Sequence, residues 1–135
     1  MNGQFQIALH ILTLLSRAND ELLSSDYIAG SININPALAR KEISNLRNHG
    51  LISSKEGKNG GYSLSKPSGQ ISLADIYQAV KTQPVLGSAK NMPNPDCPVG
   101  KQINKNIDLI YADLDKTLLE KLGNMSLADF SKQFD

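Results

Sequence analysis

The chain has 135 residues, a formal charge of +1 and 40% apolar residues, enough for one buried core and one domain. Fourteen Lys and Arg against thirteen Asp and Glu exclude a uniformly basic coat, and a single cysteine excludes an internal disulfide framework and a four-thiolate metal site. The apolar run Ile7–Leu15 spans nine residues and is interrupted by His10 and Thr13, where a membrane span needs about 20, so a soluble, cytoplasmic chain with no membrane partner is expected.

In chain order, Phe5, Ile7, Ala8, Leu9, Ile11, Leu12, Leu14 and Leu15 form a helical pattern that is apolar on most faces, the mark of a central helix. Asn19-Asp20 ends it. Ser24 or Ser25 caps a second helix through about Ser31, with Tyr27, Ile28 and Ala29 as its apolar content. Asn35 suits an N-cap and Pro36 the first position of a third helix, which runs to about His49 and stops at Gly50. The period then changes. Leu51–Lys55 and Tyr62–Ser65 are strand-like, and between them Glu56–Gly61 carries the Asn59-Gly60 pair, a hairpin signal because both positions tolerate positive φ.

Ser72-Leu73-Ala74-Asp75 opens a fourth helix through about Lys81 as a capping-box-like start. Gln83–Pro98 holds four of the six prolines and reads as an irregular loop, long enough to mark a functional segment. From about Pro98 to Leu122 a long helix carries Val99, Ile103, Ile107, Ile110, Leu114 and Leu118 on one narrow stripe, the kind that packs against another helix. Gly123 ends it, and Ser126-Leu127-Ala128-Asp129 starts a last helical turn; its likeness to Ser72–Asp75 reads as two similar caps, not a repeat.

This order is that of a winged helix-turn-helix. The third helix is two-faced: Ala39, Ile43 and Leu46 share one side, whereas Ala37, Arg40, Lys41, Ser44 and Asn48 occupy the other. A small entry residue, two cations and small polar groups suit a major groove. Ala37 lets the backbone approach, Arg40 reaches guanine O6 and N7 in bidentate fashion, and Lys41 meets a phosphate. Residues 36–66 carry a net +4, leaving about −3 elsewhere, so the electrostatic footprint falls on the third helix and the hairpin.

The stretch from Ile43 through His49-Gly50-Leu51-Ile52 to Lys58-Asn59-Gly60-Gly61-Tyr62, together with Ile71–Ile76 and Asn94–Gly100, resembles the Rrf-type winged-helix regulators, the IscR, NsrR and CymR group. The resemblance covers nearly the whole chain. It implies a mainly α fold in three parts: a winged helix-turn-helix with a two-stranded wing (residues 1–82), a proline-rich effector or sensor loop (83–98), and a dimerisation helix with a C-terminal cap (99–135). It also implies double-stranded DNA as partner, with Arg40 and Lys41 in the reading part of the recognition helix and Lys58, Asn59, Gly60 and Gly61 at the wing tip in a minor groove. Lys55 belongs to the same cationic edge. Asn2 to Gln4 corresponds to a segment near DNA, without the usual basic residue. The long helix then pairs with its copy in a homodimer.

The sensor departs from the pattern. Cluster-binding members of that family carry three cysteines in this loop; here only Cys97 is present, matching the last of them. A dimer offers two thiolates where a cluster takes four, so no metal site and no cofactor are expected. Cys97 reads chiefly two ways, with metal ligation a minor third. As N-cap of the long helix its thiolate is favoured by the positive helix end and opposed by Asp96, giving a thiol that senses oxidants or electrophiles, with a small thiol or a second Cys97 as bonding partner; or it is a small buried hydrophobe under the proline loop. His10 reads as a hydrogen-bonded core group, and His49 as a favourable charge at a helix C-terminus.

No phosphate-binding loop, dinucleotide turn or nucleophile elbow is present, so the chain is not expected to be an enzyme. The sequence thus reads as a sequence-specific DNA-binding transcriptional regulator, a repressor acting as a homodimer on a palindromic operator and responding to redox or electrophile signals through Cys97. The alternative is a winged-helix protein–protein interaction module that recruits a partner enzyme.

Overall fold

A computed structural model describes residues 3–82, 86–87 and 91–134. Asn2, part of the expected N-terminal DNA contact, and residues 83–85 and 88–90 of the proline-rich loop lie outside the described residues. The elements are α1 (Gln4–Arg17), α2 (Ser25–Ile32), α3 (Pro36–Asn48), β1 (Ile52–Lys55), β2 (Gly61–Leu64), a short 3-10 turn over Ser68–Gln70, α4 (Leu73–Val80), α5 (Pro98–Gly123) and α6 (Leu127–Ser131). This is the mainly helical winged helix-turn-helix with a two-stranded sheet and a long C-terminal helix that the sequence predicts.

The helix boundaries follow local chemistry. Ser24 Oγ accepts from Tyr27 N at α2, Asn35 Oδ1 accepts from Ala37 N at α3, and Ser72 with Asp75 forms a complete capping box at α4. α1 stops where Asn19 turns left-handed at φ 57°, and α3 where Gly50 does so at φ 76°.

α1 is the hub. Ala8, Ile11, Leu12 and Leu15 are almost fully buried and meet Ile28 of α2, Ile43 and Leu46 of α3, Ile76 of α4 and Leu127 of α6 in one core. A helix apolar on most faces requires such wrapping. The C-terminal helix α6 therefore returns to the winged-helix body.

The expected hairpin is present, with a tip longer than the Asn59-Gly60 pair. Lys55 pairs with Gly61, so five residues, Glu56–Gly60, form the tip, and a two-residue Asn59-Gly60 turn does not occur. Among the described residues the positive φ of the tip falls on Gly57, at 105°. Gly60 N instead donates to Gly57 O at 3.0 Å, and a Cβ at Gly60 would overlap the Lys55 carbonyl oxygen. Steric closure of a longer loop thus selects Gly60, rather than a left-handed backbone.

The wing is tied to the body by a contact that the sequence does not announce. Leu23 N donates to Tyr62 O at 3.0 Å and Tyr62 N to Leu23 O at 2.8 Å, so the α1–α2 connection lies against β2 as a bridge. Gly61 is required there: a Cβ would sit 2.8 Å from the Leu23 carbonyl oxygen. Gly61 accordingly belongs to strand β2, not to the wing tip where the resemblance places it.

Candidate nucleic-acid interface

α3 is held from behind and open in front. Ala39, Ile43 and Leu46 are buried, and Asn45 Nδ2 donates to Ala79 O at 2.9 Å, fastening the helix to α4. On the opposite side Ala37, Arg40, Lys41 and Asn48 are exposed and Ser44 is half-buried. The reading face drawn from the sequence is therefore presented to solvent.

One acidic residue of this region is withdrawn from the surface. Glu42 is only 5% exposed, and Gln4 Nε2 donates to its Oε2 at 3.2 Å. Of the two carboxylates that offset the local cations, Glu56 alone stays exposed, so the solvent-facing edge is more positive than the count of charges implies. The signal was legible: position 42 continues the spacing of Ala39, Ile43 and Leu46.

The wing continues the same edge. Lys55, Lys58 and Asn59 are exposed, and Gly60 is half-buried. Arg47, in the last turn of α3, donates from Nη1 to Ser54 Oγ of β1 at 3.3 Å, and Leu51 N donates to Leu46 O at 3.0 Å. Helix and hairpin are thus contiguous. The sequence marks Arg47 only as one of the cations of residues 36–66 and as part of the Ile43–Tyr62 stretch; its position seven residues after Arg40 places it two turns along the same flank.

α5 begins at Cys97, which serves as N-cap residue with Pro98 in the first turn, and the thiol makes no capping bond. Cys97 is exposed among the described residues, not packed as a buried hydrophobe beneath the described part of the proline loop. The apolar stripe is exposed as well: Val99 is 69% accessible, Ile110 53%, Ile103 42% and Leu114 41%, with Ile107 and Leu118 half-buried. Among the described residues most of the row is left open to solvent.

The residue that α5 buries is a carboxylate, for which the sequence carried no signal. Asp115 accepts from Tyr77 Oη at 3.1 Å and pairs with Lys81 Nζ, joining α4 to α5. Burial, then the hydrogen bond to Asp115, then its negative charge push the Tyr77 hydroxyl above its ordinary pKa. The Tyr77 ring stands edge-on to Phe5, centroids 6.0 Å apart. The two histidines are spoken for: His10 Nε2 lies 3.0 Å from Ser31 Oγ, and His49 Nδ1 lies 2.8 Å from Asn45 O.

Among the described residues no group of three or more His, Cys, Asp or Glu is placed to hold a metal ion, and no helix is long and apolar enough to cross a membrane. One exposed cysteine per chain does not fit an iron–sulfur cluster, which takes four thiolates.

The profile of the Rrf2 family, described as an iron-dependent transcriptional regulator, matches residues 1–133. The chain is 38% identical over 129 residues to YwnA of Bacillus subtilis (strain 168), a candidate HTH-type transcriptional regulator, covering 96% of this chain and 95% of that protein. A crystallised candidate DNA-binding protein superimposes with a TM-score of 0.75 at 33% identity, covering 94% of this chain and 97% of the other. CymR of B. subtilis, the global cysteine regulator, shares the fold alone, with a TM-score of 0.74 at 21% identity over 100% of this chain and 98% of its own. Family and relatives are regulators of transcription, not enzymes. Matched along almost its entire length, the chain belongs to the Rrf2 family of winged-helix transcriptional regulators.

Proposed function

We propose that two copies of this chain bind a palindromic operator and repress transcription, each placing α3 in a major groove and its wing in the adjoining minor groove. The observation that carries this reading is the contiguous cationic edge of Arg40, Lys41, Lys55 and Lys58, joined through the Arg47–Ser54 contact. Ala37, Ser44, Asn48 and Asn59 supply the small and polar contacts along it. The dimer rests on Val99, Ile103, Ile107, Ile110, Leu114 and Leu118. A row of apolar side chains this long, exposed on one helix face, is ordinarily covered by another surface, and a second α5 has the matching stripe. Two-fold symmetry in the protein implies two-fold symmetry in its site.

Cys97 is the proposed sensor, because it is an exposed residue at the start of the proposed dimerisation helix. It is the chain's single cysteine. Oxidation therefore joins its sulfur to a small thiol or to a second Cys97, two electrons and two protons passing to the oxidant; alternatively an electrophile alkylates it. Selection of bound duplexes from a random pool, with reduced and with oxidised protein, tests both parts. The expected result is a palindromic consensus from the reduced dimer and loss of selection on oxidation, with Cys97→Ser retaining the consensus under oxidant. Absence of an enriched duplex overturns the DNA reading; a Cys97→Ser protein that still releases DNA overturns the sensor.

A further inference from the structure

A cleft of about 350 Å³ lies between the end of α3, the wing and the start of α2, lined by Arg47, Ser54, Lys55, Ser24, Ser25 and Tyr62 together with Glu56 and three wing glycines. The geometry points to this cleft as the seat of a backbone phosphodiester of the bound duplex, with Arg47 as its principal ligand. The assignment rests on the proposed DNA reading and gives Arg47, Ser24 and Ser25 a ligand role which that reading does not assign.

Two arguments converge. The first is topological. Neighbouring major and minor grooves are separated by one sugar–phosphate ridge, so a protein with α3 in the one and the wing in the other straddles that ridge. The space between α3 and the wing is this cleft. The second is chemical. The lining offers a guanidinium, an ammonium and three serines, against one carboxylate and one aromatic ring, a composition that suits an anion and offers little to an apolar ligand. Arg47 is exposed and already donates to Ser54 Oγ, a bond that keeps its planar fork over the cleft while leaving other N–H groups for phosphate oxygens. The Leu23–Tyr62 bridge holds the wing against the start of α2, so the walls are set before DNA arrives.

The experiment uses the full-length protein and duplexes in which single phosphates are replaced, one at a time, by neutral methylphosphonates. Arg47→Ala is expected to weaken every duplex alike, by about tenfold, and to lower the salt slope by about 1. One methylphosphonate position should weaken the wild type by a similar factor and leave Arg47→Ala no weaker. Arg47→Lys, which keeps the charge, should restore the slope. An unchanged slope in Arg47→Ala, equal losses in both proteins at every methylphosphonate, or a loss in Arg47→Lys as large as in Arg47→Ala overturns the cleft while the wild type's duplex binding leaves the DNA reading standing. A wild type with no salt-dependent duplex binding removes the reading itself, and the cleft with it.

Discussion

Ser72 and Ser126 face one another in an antiparallel bridge, and each is the N-cap of the helix that follows it. Leu73 N donates to Met125 O and Leu127 N to Ile71 O, both at 2.8 Å. Two Ser-Leu-Ala-Asp segments that read in the sequence as two similar caps are thus joined to each other, and their leucines enter one core. The chain after α5 is thereby locked to the segment before α4.

This lock makes the C-terminal helix part of the fold's stability. Leu127 is fully buried among residues of the core. Leu127→Ala should cost about 2–5 kcal/mol, the range for emptying a buried leucine site. Urea unfolding followed by circular dichroism checks it; a cost below about 1 kcal/mol would mean that α6 is dispensable.

Asp115 ties α5 to α4, and its removal leaves Lys81 without its carboxylate. Breaking a buried pair costs roughly 3–5 kcal/mol, and the lower end applies because the Lys81 side chain keeps 25% of its accessibility. Asp115→Ala should therefore lower stability by about 3 kcal/mol. An unchanged denaturation midpoint would show that the pair contributes nothing net.

Tyr77 adds an alkaline dependence. Its folded pKa is raised above 10.0 by burial first and by Asp115 second. A raised tyrosine binds its proton more firmly in the folded state. Its contribution to stability is present below the unfolded value and is lost as pH rises through the folded one. Urea midpoints taken across that alkaline range should fall more steeply for the wild type than for Tyr77→Phe. Parallel curves would remove Tyr77 from the account.

Arg40 and Lys58 should separate base reading from backbone attraction. Arg40→Ala is expected to lose about 1–3 kcal/mol on the selected operator and to relax preference at one base position. Lys58→Ala should instead weaken all duplexes alike and reduce the salt slope by about 1. Competition titrations against operator variants at several salt concentrations distinguish them. Uniform loss in Arg40→Ala would reassign that residue to the backbone.

Ile110 sits mid-stripe on α5 at 53% exposure. Ile110→Asp would place a charge in the proposed interface between two copies of α5, so the protein should sediment as a monomer and lose cooperative operator binding. Folding should survive, since the side chain is not in the core. A wild type that already sediments as a monomer would dispose of the dimer.

Much of this protein is legible in its residues taken a few at a time. Ser24, Asn35-Pro36, Gly50 and Ser72 with Asp75 mark helix ends through bonds made within three or four positions, and the alternation along α3 separates Ala39, Ile43 and Leu46 from Arg40 and Lys41. Such short-range signals sufficed for the order of elements, the two-faced third helix and the apolar stripe of α5. They could not say which neighbour covers which face. That Asp115 is buried while Ile110 is not, that Ser126 returns to Ser72, that Glu42 turns inward to Gln4 and that Leu23 fastens the wing all depend on segments far apart in the chain. A helix's pattern defines its faces only relative to its own axis; their burial is decided by the free energy of the whole packed core, and that exists only once the chain has closed on itself.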